Sequence, residues 1–375
     1  MEINNGIGCE QEGGTKIFDP KPIRNRERFA EAYSVLEQAI TDHAFPGCSF
    51  GLMGGGQVYL NDALGSFTYE SAAQAVVPET IYDVASLTKV VCTTAAAMLL
   101  YERGQLDLDM PLGEMLPGFV IGRNDSRWAR AVTIRHLLAH SSGLPGYVPL
   151  FQTAESAMGV LRGCLELPIE AEPGTRAVYS DPGFILLGKA IETILRESLT
   201  TWTTREIFAP LGMESSLFCP GAGHGRSIPP TEEDKVFRHR RIQGEVQDEH
   251  AYLLKGAAGH AGLFSNVADL LRFSAEVLTP SLFSMTTMDL FSKRQPPQGS
   301  SRALGWDTPS PESSSGTMFS TSSIGHLGYS GCSLWIDREA QIAVVLLTNR
   351  TWPDRQSQLI RSVRPAFHDA LRRAL

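Results

Sequence analysis

No stretch of this 375-residue chain reaches 18 consecutive apolar residues, so nothing in it reads as a membrane-spanning helix. Basic residues are in the minority, 33 Lys and Arg against 41 Asp and Glu, for a formal net charge of -8. A nucleic-acid partner would ordinarily show as a basic excess and is not expected. The one basic cluster, Arg238-His239-Arg240-Arg241, follows Glu232-Glu233-Asp234 and reads as mixed-charge surface. Cysteines stand at 9, 48, 92, 164, 219 and 332 without CxxC spacing, which offers neither a disulfide framework nor a thiolate metal site. Among the nine histidines, His136 and His140 are four apart, but neither belongs to an H-E-x-x-H pattern. No metal and no cofactor are expected. Residues 1–16 lack a basic segment leading into an apolar one, so the expected location is the cytoplasm, or the periplasm if the chain is a processed form, with no membrane partner.

What remains is an ordinary globular composition with 35 Gly and 22 Pro, hence many turns. After a loose leader over residues 1–20, Asn25 to His43 carries the apolar spacing of an amphipathic helix. Cys48 to Met53 and Gln57 to Leu60 flank Gly54-Gly55-Gly56 as a hairpin, and an extended piece follows at Ile81 to Val84. Prolines punctuate a helix-and-loop middle section, within which Gly221 to Asp248 is polar and reads as a surface excursion. Pro296 to Gly316 suits a mobile loop. Cys332 to Asp337 and Gln341 to Thr348 read as strands, and Gln356 to Leu375 as a terminal helix. Strands at both ends bracketing a helical middle predict an α+β fold: one antiparallel sheet flanked by helices, built from 21–104 and 250–375, with a mainly helical domain at 105–249.

Chemistry concentrates at Ala85-Ser86-Leu87-Thr88-Lys89, where a small-residue helix opens on Ser-x-x-Lys. That spacing puts a hydroxyl and an amine one turn apart on the same face. Ser86 is the candidate nucleophile and Lys89 its base, provided apolar walls weaken the preference for the ammonium form. A competing pattern, Gly47-Cys48-Ser49-Phe50-Gly51, matches the G-x-S-x-G nucleophile elbow but enters a hairpin strand rather than a strand-to-helix turn. Tyr179-Ser180-Asp181 lies in a loop between two Pro/Gly pairs; its phenol suits a proton relay, or equally an aromatic anchor, and spacing does not choose. Gly325-His326-Leu327-Gly328-Tyr329-Ser330-Gly331 precedes a strand. It could supply an oxyanion-binding N–H, or be only a Gly-rich hairpin with a surface His. His140 and His260 read as helix-end and turn ties.

Taken in order from Phe45-Pro46-Gly47 through Leu346-Leu347-Thr348-Asn349, these segments resemble the class C β-lactamase and penicillin-binding-protein-like serine hydrolases, which include the family VIII carboxylesterases. The resemblance implies that Ser86 is acylated, that Lys89 and Tyr179 are its acid–base partners, and that the N–H groups of Ser86 and Tyr329 form the oxyanion hole. Asp181, His326 and Gly328 would contact substrate. Two departures stand out. The family's Tyr-x-Asn is Tyr179-Ser180-Asp181 here, and its Lys-Thr-Gly is His326-Leu327-Gly328, which replaces a permanent cation with a mostly neutral imidazole. The expectation is a cofactor-free carboxylesterase for small esters with weak or no β-lactamase activity. The alternatives are a β-lactamase or D-amino-acid peptidase of the same fold, or a non-catalytic binding or sensor protein. Its partner would be a small ester or amide substrate.

Overall fold

A computed structural model describes residues 18–123, 126–224 and 227–375; apart from residues 18–20, the expected leader lies outside them. The described residues form strands β1 (Gly47–Gly54), β2 (Gln57–Gly65), β3 (Tyr82–Asp83), β4 (Leu217–Phe218), β5 (Glu232–Asp234), β6 (Arg240–Ile242), β7 (Leu263–Ser265), β8 (Ile324–Leu327), β9 (Ser333–Asp337) and β10 (Ile342–Thr348). The main sheet is antiparallel, in the order β2-β1-β10-β9-β8. Its two halves come from opposite ends of the chain and meet where Cys48 pairs with Thr348 and Gly54 with Ile342. The β1–β2 turn uses Gly55 and Gly56 at φ +56° and +78°, the positive values that a tight hairpin turn needs at both central positions. The α+β class predicted from the sequence is the observed one.

Side-chain alternation explains why β10 is apolar from Ile342 to Leu347. Ile342, Val344 and Leu346 pack with Tyr33 and Leu36 of the helix Ala30–Thr41 and with Phe367 and Leu371 of the helix Ile360–Arg373. Ala343, Val345 and Leu347 join the larger core with Val267 and Leu271 of the helix Val267–Leu278. Both faces are covered, so neither needs polar residues. The same alternation accounts for the false nucleophile elbow. Cys48, Phe50 and Leu52 belong to the first cluster, whereas Gly47, Ser49 and Gly51 form the opposite, tightly packed side. A Cβ at Gly51 would lie 2.4 Å from Val267 Cγ1. Ser49 is fully buried and donates to Val77 O at 3.1 Å, out of reach of any substrate.

A second sheet, in the order β3-β7-β4, carries the chain into the Ser86 turn. The middle section is largely helical, and we propose that residues 105–249 form a domain inserted into the sheet domain. Two loop expectations need correction. The segment expected as a surface excursion, Gly221 to Asp248, buries Thr231, Glu232, Asp234, Val246 and Gln247 and forms β5 and β6. Its buried charges are paired within the protein, as Arg238 is with Asp234. The segment read as mobile, Pro296 to Gly316, is pinned by buried Ala303, Leu304 and Trp306, and by Gly305 N–H donating to Leu138 O at 2.9 Å. Among the described residues no helix is long and apolar enough to cross a membrane.

The helix Asp181–Leu195 starts at Ser180, whose Oγ accepts the Gly183 N–H at 3.1 Å, with Pro182 in the first turn. Its Gly188 lies against Gly259, where a Cβ would come within 2.2 Å of Phe184 O and 2.9 Å of Gly188 Cα. This contact seats the loop bearing His260. Gly259→Ala is therefore expected to destabilise the fold by about 1–3 kcal/mol through overpacking, read from urea denaturation midpoints. A change below about 0.5 kcal/mol, the range of neutral surface substitutions, would show that the approach is not tight.

Candidate active site

The Ser86 turn is built around one unusual residue. Ala85 adopts φ +47°, a conformation that side-chain-bearing residues seldom occupy unless their surroundings enforce it. Here Asp83 Oδ1 accepts the Ala85 N–H at 2.9 Å, and Thr88 Oγ1 donates to Ala85 O at 2.6 Å while accepting the Leu263 N–H at 3.1 Å. Burial pushes the Asp83 carboxyl up to about 6, against the two N–H groups it accepts. Behind Ser86 the expected helix is present with varying pitch: a 3-10 turn at Ala85–Leu87, π-type winding at Lys89–Thr94 and an α-helix at Ala95–Glu102. The wide turns carry Lys89 inward, where every residue from Leu87 to Leu100 is buried.

Lys89 is fully buried, and its amine has an acceptor for each of its three protons: Ser86 Oγ at 2.8 Å, Asp181 Oδ1 at 2.7 Å and His260 O at 3.2 Å. Burial alone would favour the neutral amine, as the sequence suggested. The Asp181 carboxylate, helped by Tyr179, outweighs it and holds the Lys89 pKa above the ordinary lysine value. That corrects the expected ionisation: the resting group is an ammonium, because Asp181 pairs with Lys89 at the position assigned to substrate contact.

Tyr179 is placed by the residues around it. His140 Nδ1 accepts the Ser180 N–H at 3.0 Å and Ser180 Oγ donates to Pro145 O at 2.7 Å, fixing the loop. The Tyr179 ring lies 4.6 Å from the His140 ring and 5.8 Å from that of His326, with Lys89 Nζ at 4.8 Å and the Arg302 guanidinium at 5.2 Å from its centroid. Its hydroxyl interacts with both Lys89 and Ser86. Burial raises its pKa and the neighbouring ammonium opposes this, leaving it a phenol above its ordinary value.

The third motif lies on the sheet edge. β8 ends at Leu327, and Gly328 approaches the Ser86 turn so closely that a Cβ would lie 2.5 Å from Val84 O. Ser330 Oγ donates to Asp83 O at 2.7 Å, tying the loop to the same turn. Tyr329 between them is half exposed. His326 is not a surface residue: it is 3% exposed, and its Nδ1 pairs with Leu327 O at 2.8 Å. Because a carbonyl only accepts, Nδ1 carries the proton and Nε2 presents a lone pair. Burial, then the nearby Lys89 and Arg302, hold its pKa well below the ordinary histidine value.

These residues border a cavity of about 670 Å³ that contains Ser86, Tyr179, Asp181, His326, Gly328 and Tyr329 together. Its wall adds groups that no motif announced: Arg302, Arg350, Arg355 and Tyr147. They come from loops far apart in the chain, and the only local cue to Arg302 is the apolar anchor Ala303-Leu304-Gly305-Trp306 behind it. Arg302 is 3.7 Å from Asp307, and Arg355 pairs with Glu232 and Glu249. Asp248, His250 and His260 have donor atoms within 4.8 Å of one another, the grouping among the described residues that could take a metal ion. Asp248 Oδ1 is already shared by His260 Nε2 at 2.8 Å and the Ala251 N–H at 2.7 Å, an arrangement that braces the loop presenting the His260 carbonyl to Lys89. A larger groove of about 980 Å³, bordered by Leu161, Ile185 and Phe218, holds none of Ser86, Lys89, Tyr179, Asp181, His326, Gly328 and Tyr329.

The beta-lactamase family profile matches residues 33–364, and the chain belongs to that family of serine hydrolases. It is 31% identical to an N-acetylmuramyl-L-alanine amidase of Bacillus subtilis (strain 168), over 90% of this chain and 82% of the relative. It is 28% identical to a protein of Escherichia coli O157:H7 named as a putative D-alanyl-D-alanine carboxypeptidase, over 87% and 83%. In structure it is similar to EstCE1, a hydrolase with promiscuous acyltransferase activity, at a TM-score of 0.71 and 22% identity over 90% of this chain and 99% of that one.

The Lys89–Asp181 pair makes a specific demand on pH dependence. Replacing the carboxylate in Asp181→Asn removes what raises the Lys89 pKa. The acid limb of kcat/KM is expected to move to lower pH by about one unit or more, as for loss of a close opposite charge. An unmoved limb in a pH profile of the folded variant would show that Lys89 is not the titrating base.

Proposed function

We propose that the protein is a serine acyl hydrolase in which Ser86 is the nucleophile, Lys89 and Tyr179 handle its proton, and the main-chain N–H groups of Ser86 and Tyr329 receive the oxyanion. The observation that carries this reading is the fully buried Lys89 amine 2.8 Å from Ser86 Oγ. A lysine kept only for solubility would lie in water. In the reacting form Lys89 has lost a proton. Ser86 Oγ attacks the carbonyl carbon as its own proton passes to the amine, and the tetrahedral adduct then breaks the C–N or C–O bond while Tyr179 gives its proton to the leaving atom and takes one back from the Lys89 ammonium. Water attacks the acyl-enzyme by the same route, releasing the acid and restoring Ser86.

For substrate we propose a carboxylic amide or ester that carries a carboxylate near the scissile bond, with a peptidic amide preferred. The His326 imidazole lacks the permanent cation of the family pattern, but Arg302 stands close by in the same cavity, over the Tyr179 ring, and can pair with a carboxylate. The amidase name of the Bacillus relative supports the amide. The carboxylesterase expected from the sequence is the second reading, favoured by the neutral His326. Weak or no β-lactam hydrolysis belongs to both.

A panel of N-acetylmuramyl-L-alanine, p-nitrophenyl butyrate and nitrocefin tests the proposal. The first two are expected to be cleaved, and Ser86→Ala is expected to lose at least about a thousandfold in rate, as when a nucleophile is removed. Arg302→Gln is expected to raise KM for the amide about tenfold, the worth of one charged hydrogen bond, while leaving the neutral ester near wild type. Turnover that survives in Ser86→Ala contradicts the mechanism. Equal effects of Arg302→Gln on both substrates contradict the carboxylate site.

A further inference from the structure

We propose that Arg364 is a positioning residue for acyl transfer: its guanidinium polarises the Gly328–Tyr329 peptide unit and so strengthens the Tyr329 N–H as a donor to the oxyanion. This rests on the roles given above to Ser86 and Tyr329.

Arg364 belongs to the C-terminal helix Ile360–Arg373 and is only 6% exposed. Its Nη2 donates to Gly328 O at 2.9 Å and Cys332 O at 2.8 Å, and its Nε to Gly331 O at 3.3 Å. These are all main-chain carbonyls of one loop. Among the described residues no carboxylate pairs with Arg364; the titratable and charged groups that bear on it are Cys332, Arg350, His326 and His368, and burial pushes its pKa down to about 10. Burying a cation without a counter-charge is unfavourable. A tie between helix and loop could be made by a neutral donor, so the charge needs a reason.

The peptide geometry supplies one. Gly328 O and Tyr329 N belong to the same amide. A cationic donor on that oxygen draws electron density through the amide resonance and leaves the N–H a stronger donor. The Gly331 N–H donates to the same oxygen at 3.0 Å, so it is held from two sides. Arg350 Nε donates to Tyr329 O at 2.8 Å and thereby addresses the next peptide unit, steadying the loop without acting on the same N–H. Gly328 against Val84 and Ser330 against Asp83 lock the polarised unit beside the Ser86 turn. A fixed dipole aimed at developing charge gains from such preorganisation.

The test compares wild type, Arg364→Met and Arg364→Lys on p-nitrophenyl acetate, with active sites counted by stoichiometric acylation so that misfolded protein drops out. Phenylboronic acid serves as a probe that forms a tetrahedral adduct on serine. Arg364→Met is expected to lower kcat per active site about tenfold or more, within the range for a weakened oxyanion donor, with KM little changed and boronate affinity lowered in step. Arg364→Lys, which keeps the charge, is expected to recover most of the loss. Where only the Lys variant folds, the same split between kcat and KM decides, at a smaller amplitude. Unchanged kcat per site, or a loss confined to KM with boronate binding intact, would overturn the proposal while leaving Ser86 as nucleophile. Hydrolysis persisting in a parallel Ser86→Ala sample would instead remove the acyl-enzyme reading, and this proposal with it.

Discussion

A fully buried ammonium at position 89 is the constraint that organises this molecule's active region. Removing that charge from water is costly unless every proton finds an acceptor and a counter-charge lies close. The structure supplies both, through Ser86, Asp181 and the His260 carbonyl. Each of those partners is held in turn by its own segment. The strained Ala85 turn presents Ser86, the N-terminus of the helix Asp181–Leu195 presents Asp181, and the Gly188–Gly259 contact seats the loop carrying His260. A demand for charge satisfaction at one atom thus draws three distant parts of the chain to one point.

That demand also separates what could be read from the sequence from what could not. Ser86 and Lys89 are legible because a helix makes them neighbours from spacing alone, and the paired strands at Cys48–Met53 and Gln341–Thr348 are legible because their periodicity is local. Tyr179 and the Gly328 loop are legible as candidates whose roles only the resemblance assigns, and the fold brings both to the Ser86 turn. The Lys89–Asp181 pair was hidden, since residues 92 positions apart carry no joint signal in one sequence. For the same reason burial alone misjudged the ionisation of Lys89. The arginines of the cavity wall were hidden likewise, because a guanidinium is placed by the tertiary course of its loop. The G-x-S-x-G pattern misleads for a local reason: alternate small residues also arise wherever a strand packs closely against a helix, as Gly51 does against Val267.

The two departures from the family pattern now have physical meaning. Asp181 gives the buried lysine a full counter-charge, which raises the pH at which it can act as a base. His326 removes one cation from the cavity while Arg302 supplies another from a different direction. Under the proposed mechanism acyl-transfer chemistry can persist through these exchanges, because it would depend on Ser86, its proton acceptor and the oxyanion donors, whereas the shape and charge around them would select the acyl and leaving parts.

The most direct test of the central claim is to locate the serine that this environment activates. A fluorophosphonate esterifies such a serine with loss of fluoride, and peptide fragmentation identifies the modified residue. The account predicts one adduct per chain, on Ser86, forming more slowly as the pH falls and Lys89 stays protonated. An adduct on Ser49 or elsewhere, or no adduct on the folded protein at any pH, would contradict it.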